Sequence, residues 1–166
     1  MRHIVSILLQ NEAGALSRVA GLFSTRGYNI ESLSVAPTED PMLSRLTLVT
    51  IGSDQVIQQI NKQLFKLVDV VNIADMTMGD HIERELILLK ASLHKGNDSA
   101  VRKLIKAEAA RVLDDAPANF TVELTGTGNR VDDFIDRLGA YADILAVVRS
   151  GPMAISRGET VLSATL

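Results

Sequence analysis

The chain has 166 residues, a length that accommodates one domain or two small ones. Its residues are 46% hydrophobic and 22% charged, as in an ordinary globular protein, whereas only 4% are aromatic and none is tryptophan. A core of this composition consists mainly of valine, leucine, isoleucine and alanine. The net charge of −3 argues against broad binding to nucleic-acid phosphates, which requires clustered lysine and arginine.

The composition also limits the chemistry and the cellular location. The absence of cysteine excludes disulfides, thiolate nucleophiles, iron–sulfur clusters and most zinc sites, and it fits a reducing cytosol. The apolar run that starts at Ile4 ends at Gln10, which is too short for a signal sequence or a membrane span. We therefore expect a cytoplasmic protein that does not act at a membrane.

The first half of the chain predicts six elements in the order strand, helix, strand, strand, helix, strand. Aliphatic runs or alternation indicate the strands, and apolar residues at helical spacing indicate the helices. The predicted elements are a strand over 4–9, a helix that carries Leu16, Val19, Ala20 and Phe23 and stops at Gly27, strands over 30–36 and through Leu46 and Leu48, a helix after Ser53 and Asp54, and a strand over 69–74. This order is typical of a ferredoxin-like βαββαβ unit, whose helices cover one face of the sheet and leave the other to solvent or a partner.

The second half repeats this order without obvious residue identity. The predicted elements are a strand over 85–93, a helix from about Asn97, a short strand from Val112, a turn over 114–117, a strand over 120–124, a helix with Val131, Phe134, Ile135 and Leu138 on one face, and a strand over 144–148. The predicted fold class is therefore α+β, with two ferredoxin-like βαββαβ domains. We place the first domain at 1–77, the second at 82–159 and a tail at 160–166. The chain after Gly151 has weak patterning, which is compatible with mobility.

Residues capable of catalysis or metal binding form no recognised motif. Groups with some such signal are the histidines His3, His81 and His94, the acidic residues Asp132, Asp133 and Asp136, and the turn 126–128. The histidines are scattered at no metal-ligand spacing, the acidic residues lie opposite the apolar stripe of their helix, and the turn lacks the third glycine of a nucleotide-binding fingerprint. We therefore predict no catalytic residue, no metal site and no cofactor of the chain's own.

The turn from the first predicted strand into the first predicted helix carries the strongest indication of a binding site. A helix start offers unpaired backbone N–H groups and a partial positive charge, which suit a carboxylate. Gly14 lets a ligand approach the backbone closely, Asn11 offers an amide for an ammonium or a carboxylate, and Asn29 begins the second strand. On the pattern alone an ordinary turn is favoured, with Asn11 as a capping residue and Gly14 as a turn glycine.

Several stretches carry a more specific signal when they are read together. They are residues 11–19, 21–23, 26–33, 35–38, 64 and 66–70, and near the end 149–151 and 156–158. These stretches resemble the ACT domain, and the ending, of acetohydroxyacid synthase (acetolactate synthase) regulatory subunits, and the run Arg-Gly-Tyr-Asn-Ile-Glu-Ser-Leu over 26–33 is the most specific of them. The resemblance covers essentially the full chain. It is strong through residue 75 and rests on element order between about 90 and 145.

This resemblance implies a homodimer in which ACT domains pair side by side and bind a branched-chain amino acid between them. The implied effector-binding residues are Asn11 with the backbone amides near Gly14, Ala15 and Leu16 of one chain, and Asn29 and Ile30 of the other. The resemblance thus adds a second chain to the site that the turn indicates. It implies that helix-terminal N–H groups bind the carboxylate and amide oxygens bind the ammonium.

The resemblance further implies a partner, the acetohydroxyacid synthase catalytic subunit, which this chain would activate and make sensitive to feedback inhibition by valine. The thiamine diphosphate, magnesium and FAD of the reaction would belong to that catalytic subunit. Valine is implied by the family, since an apolar cavity distinguishes one methylene by only about 1–3 kcal/mol. The second half and the ending favour this family over an ACT-domain sensor that controls a different enzyme or a transcriptional partner.

Two other classes of function find little support in the residues. A free-standing enzyme on a ferredoxin-like fold would need a convergent set of titratable groups, and the sequence supplies none that is convincing. A nucleic-acid-binding module on this fold would need aromatic residues on its central strands and a basic face. The predicted strands carry serine, leucine, valine and threonine instead.

Overall fold

The structure is a computed structural model that describes residues 1–116 and 118–164. The chain divides into two compact units, each of which contains an antiparallel sheet and two helices. The first unit comprises Met1–Ile82 together with the chain from Pro152 onward, and the second comprises Glu83–Gly151. The predicted fold class, α+β with two ferredoxin-like βαββαβ units, is confirmed.

The first unit has the element order that the sequence predicts. Its elements are β1 (Arg2–Gln10), α1 (Ala15–Thr25), β2 (Ser32–Pro37), β3 (Leu43–Ile51), α2 (Asp54–Leu64) and β4 (Val70–Asp75). The strands are arranged in the order β2-β3-β1-β4, so β1 is interior and β2 forms an edge. Both helices pack on one face, in a core that contains Val5, Ile7, Leu9, Val19, Phe23, Leu46, Leu48, Ile57, Ile60 and Leu64.

Local sequence signals define the ends of the two helices in this unit. Gly14 precedes α1 with a φ of +89°, and Gly27 follows the helix with a φ of +71°, which are conformations that glycine adopts without strain. Ser53 precedes α2, and its Oγ accepts a hydrogen bond from the backbone N–H of Val56 at 3.4 Å. Individual residues therefore define both ends of α1 and the start of α2.

The second unit repeats the arrangement around its own core. Its elements are β5 (His81–Leu93, whose first two residues lie in the first unit), α3 (Asp98–Ala107), β6 (Arg111–Asp115), β7 (Phe120–Gly126), α4 (Gly128–Gly139) and β8 (Ala142–Arg149). The strand order is β6-β7-β5-β8. The predicted turn over 114–117 is wrong in part, because Asp114 and Asp115 pair with Thr121 and Phe120 and so extend β6, whereas Pro117 lies outside the described residues.

The chain after Gly151 differs from the weakly patterned tail that the sequence indicates. Residues Met153–Ser156 form a ninth strand, β9, which pairs with β5. Ala154 is buried with Ile4, Val49 and Met76, on the face of the first sheet that carries no helix. Burial of these apolar side chains favours the ordered arrangement. The predicted boundaries placed 82–159 in the second domain and 160–166 in a tail, whereas here the chain from Pro152 belongs to the first unit.

Two phenylalanines in the first unit test the position of the core. Phe23 is fully buried beneath the sheet, whereas Phe65, just after α2, is 55% exposed. We expect Phe23→Ala to lower the free energy of unfolding by about 3–5 kcal/mol and Phe65→Ala to change it by about 0.5 kcal/mol. Denaturant titrations at one protein concentration measure both, and equal losses would contradict this core.

Candidate functional site

A cavity of about 240 Å³ lies where β1 leads into α1. It is bounded by the end of β1, the first turn of α1 and the end of β2. The lining residues are Leu9, Gln10, Asn11, Glu12, Ala15, Leu16, Val35, Ala36, Pro37 and Ser44. The cavity therefore contains three of the predicted effector-binding residues, Asn11, Ala15 and Leu16, and Gly14 lies in the same turn.

The start of α1 is open to a ligand that can accept backbone hydrogen bonds. No side chain caps this end of the helix, and its first turn contains no acidic residue. Ala15 is buried against the core, whereas Leu16 is 39% exposed beside the cavity. The Ala15 N–H donates to the Glu12 carbonyl at 3.3 Å, so the helix presents the N–H groups of Leu16 and Ser17 and its partial positive charge, which are suited to a carboxylate.

Asn11 and Glu12, which precede α1 and also line the cavity, offer oxygen acceptors and a negative charge. The side-chain Nδ2 of Asn11 donates a hydrogen bond to the carbonyl of Pro41 at 2.9 Å, and the Asn11 backbone N–H donates to Met42 at 2.7 Å. These two bonds orient the amide, so that Oδ1 is the acceptor for a donor group of a ligand. Because Glu12 also lines the cavity, these two residues suit a cation such as an ammonium.

An ion pair between α1 and the residue before β4 supports the turn. Arg18 donates to Asp69 twice, from Nε to Oδ2 at 2.5 Å and from Nη2 to Oδ1 at 2.8 Å. The guanidinium also passes close over Gly14, since a Cβ at Gly14 would lie 2.7 Å from Arg18 Nη1. In addition, the Asp69 carbonyl accepts from the backbone N–H of Gln10 at 2.8 Å, at the end of β1. Asp69 thus links the strand and the helix that form the cavity.

Asn29 and Ile30, the other predicted effector-binding residues, lie at the opposite end of the first sheet. The Asn29 carbonyl accepts from Thr50 Oγ1 at 2.6 Å, and Asn29 Nδ2 donates to Glu31 at 2.6 Å, while Ile30 is half-buried against the helix-side core. Thr50 lies seven residues along β3 from Leu43, which pairs with Gln10, so the two ends are separated by about 24 Å. A single chain therefore does not bring the two halves of the predicted site together.

Several of the groups set aside as catalytic or metal-binding candidates have structural partners. Asp132 binds Arg149 at 2.7 Å and Asp133 lies 3.3 Å from Arg137, so these acidic residues belong to surface ion pairs. His94 contacts Asp143. Across the part of the chain that the structure describes, no three His, Asp or Glu side chains are grouped so as to hold a metal ion. None of the described helices is long and apolar enough to cross a membrane.

Comparison with known protein families shows which family this chain belongs to. Residues 5–72 match the family described as the AHAS small subunit-like ACT domain, and residues 84–158 match the family described as the small subunit of acetolactate synthase. This chain belongs to the acetolactate synthase small-subunit family. The resemblance found in the residues of the ACT domain and the ending is therefore confirmed.

Relatives of the small-subunit family match over nearly the whole chain. The acetolactate synthase isozyme 3 small subunit of Salmonella typhimurium is 47% identical over 98% of this chain and 99% of its own length. The acetolactate synthase small subunit of Haemophilus influenzae is 46% identical over 96% of this chain and 98% of its own. The crystal structure of the small subunit from Thermotoga maritima is 32% identical, covers 96% of this chain and 99% of its own, and superposes with a TM-score of 0.86.

Sequence reasoning found the turn of this small subunit but missed the ion pair that supports it. Arg18 follows Gly14 by four residues, a spacing that places its side chain over the glycine, and this signal was available in the sequence. Asp69 is 51 residues further along, and only the packing of β4 beside β1 brings it to Arg18. Pairing at that distance along the chain is not encoded in any local pattern.

The Arg18–Asp69 pair predicts a pH dependence of stability. The hydrogen bonds from Arg18 hold the pKa of the Asp69 carboxyl below its usual value. Because the pKa of Asp69 is lower in the folded chain, the pair stabilises the fold fully above the unfolded value of about 3.9, and this contribution is lost as the pH falls through the folded value. We expect Asp69→Asn to lower the melting temperature at pH 7 and to differ less from the parent chain below pH 4.

Thermal unfolding between pH 2 and pH 8 measures this difference. The matched control is Asp136→Asn, which removes an exposed carboxylate on α4 and is expected to leave the melting temperature nearly unchanged at every pH. A loss of stability in Asp69→Asn that has the same size at pH 3 and pH 7 would show that the charge pair is not the cause.

Proposed function

We propose that the chain is a non-catalytic regulatory subunit that binds and activates the acetolactate synthase catalytic subunit and confers feedback inhibition by valine. The observation that carries the proposal is the cavity at the β1–α1 turn, whose lining includes the first residues of an uncapped helix together with Asn11 and Glu12. Membership of the small-subunit family supports the acetolactate synthase catalytic subunit as the partner and branched-chain amino acid synthesis as the pathway. The thiamine diphosphate, magnesium and FAD of that reaction would be held by the catalytic subunit.

The helix start and the polar side chains of the cavity complement the two charges of a free amino acid. The N–H groups of the first turn of α1 would bind the α-carboxylate, and Asn11 Oδ1 together with Glu12 would bind the α-ammonium. An aliphatic side chain would pack against the apolar lining, which includes Leu9 and Val35. An isolated anion would match only the helix N–H groups, and an isolated cation only Asn11 and Glu12. The arrangement therefore favours a zwitterion.

The half of the site that contains Asn29 and Ile30 would come from a second copy of the chain. The edge strand β2 begins just after Ile30 and ends at Pro37, which lines the cavity. If two β2 strands pair antiparallel about a two-fold axis, the start of each lies beside the end of the other. This pairing would bring Asn29 and Ile30 of one chain towards the cavity of its partner, across a distance that one chain alone does not span.

A site shared by two chains provides a physical route to regulation. An effector shifts an equilibrium only by the difference in its affinity for the two states. Valine that contacts both chains would bind most tightly to one arrangement of the pair and would therefore favour it. The catalytic subunit would respond if its affinity or activity differed between the arrangements.

Calorimetric titration of the purified chain with valine is the first test. We expect saturable binding with one ligand per chain or per pair of ACT domains, because the cavity is completed by two chains. Leucine and isoleucine test the tolerance of the apolar lining. Serine, which lacks the aliphatic group, should bind much more weakly. If none of these amino acids bound, the cavity would be removed as an effector site.

Substitutions in the β1–α1 turn test whether the cavity is the site through which valine inhibits the enzyme. We expect Asn11→Ala and Gly14→Asp to weaken valine inhibition of a reconstituted enzyme by tenfold or more, with association to the catalytic subunit largely unchanged. Asn11→Ala removes the oriented amide. Gly14→Asp adds a negative charge where the carboxylate would lie and forces a side chain into a backbone conformation with φ of +89°.

Two control variants separate these effects from general damage. Asn129→Ala removes an exposed amide in the second unit and should leave inhibition unchanged. Gly14→Ala introduces the backbone strain without the charge, so the difference between Gly14→Ala and Gly14→Asp isolates the electrostatic contribution. Full sensitivity to valine in both Asn11→Ala and Gly14→Asp would contradict the proposed site.

A further inference from the structure

The last part of the described chain lies across the helix-free face of the first sheet. Residues 157–164, here called the strap, follow β9 and contain neither helix nor strand. The backbone N–H of Arg157 donates to the Asp80 carbonyl at 3.0 Å, and its Nε donates to Asp80 Oδ1 at 3.1 Å, which fixes the start of the strap. Leu162 is its one buried residue, with 7% of its surface exposed.

Side chains of the sheet hold the end of the strap by its main-chain carbonyls. Arg45 Nη2 donates to the carbonyl of Leu162 at 2.8 Å, and Asn72 Nδ2 donates to the carbonyl of Ser163 at 2.8 Å. Arg45 on β3 and Asn72 on β4 are both register partners of Leu8, so they flank it on the helix-free face. The strap is therefore held beside Leu8 of β1 by hydrogen bonds to its main-chain carbonyls, which depend little on its sequence.

The face beneath contains a polar group that the closed arrangement leaves unsatisfied. Ser6 lies between Ile4 and Leu8 on this face and is completely buried, and its Oγ has no hydrogen-bond partner among the described residues. The paired residue on β3, Thr47, is also buried. A buried hydroxyl without a partner is destabilising. Opening of this face to water would relieve that penalty and so offset part of the cost of exposing the apolar side chains.

We propose that the strap is a reversible cover, which closes the helix-free face in the free chain and leaves it when an extended segment of the catalytic subunit docks there. The strap itself shows the chemistry of the occupant, which is a main chain whose carbonyls accept from Arg45 and Asn72 and an aliphatic side chain in the place of Leu162. Because Arg45 and Asn72 bind carbonyls of the main chain, another segment with an aliphatic side chain at this position can make the same hydrogen bonds. This proposal rests on the proposed function, since it takes the catalytic subunit as the partner.

Spin labelling of the strap tests whether it is held and whether it leaves. The chain has no cysteine, so Val161→Cys introduces a single thiol, at a strap position that is 72% exposed. We expect the label to be motionally restricted in the free full-length chain. It should become mobile when Arg45→Ala and Asn72→Ala are introduced together, and also when the catalytic subunit is added to saturation. The control pair Arg26→Ala and Asn129→Ala should leave the label restricted.

Association with the catalytic subunit tests whether the strap competes for the face. Leu162→Ser weakens the strap, and Val161→Ser is its control at the exposed neighbouring position. If the strap is closed in about nine of ten free molecules, its release tightens association about tenfold. Val161→Ser should leave the affinity unchanged.

Each outcome of these measurements decides the proposal. A label that is already mobile in the free chain, or that stays restricted in the saturated complex, would overturn it. Unchanged or weaker association of Leu162→Ser would also overturn it, since the strap would then be neutral or would itself contribute to docking. If the parent chain does not bind a catalytic subunit from its own organism, the proposed function fails as well. Binding with a restricted label rejects the strap alone.

Discussion

The burial of β1 on both of its faces is the constraint on which the rest of the first unit depends. One face carries Val5, Ile7 and Leu9 into the helix-side core, and the other carries Ile4 and Leu8. A shift of the register by one residue would exchange these two sets, so the pairing of β1 with β3 and β4 is strongly specified. A fixed register in turn fixes where β1 ends, and therefore where the cavity lies.

The charges around the cavity are arranged so that no single sign dominates. Arg18 and Asp69 neutralise each other while they hold α1 against the end of β1. The cavity lining itself adds the partial positive charge of the helix start and the polar groups of Asn11 and Glu12. A free amino acid carries both charges at a fixed separation. Selectivity among aliphatic side chains would then depend on the apolar lining and on the second chain.

The two sites discussed for the first unit share β1 but use it differently. The cavity lies at the end of the strand, whereas the strap crosses the helix-free face two residues earlier, at Leu8, about 7 Å away along the strand. A displacement of the end of β1 by an effector would therefore act close to the contacts that hold the strap. The hydrogen bonds to the Leu162 and Ser163 carbonyls come from β3 and β4, whereas β2 is an edge strand of this sheet.

The amino-acid sequence by itself determined the order of the helices and strands through β8, the end of α1 at Gly27, the start of α2 after Ser53 and the family, because these follow from local patterns and from motifs. It also indicated the turn at Asn11 and Gly14. Only the tertiary structure decided that Arg18 reaches Asp69 and that the chain after Gly151 returns to the first sheet, where Leu162 is buried. Such contacts join residues far apart along the chain, and their stability comes from packing that no local pattern records.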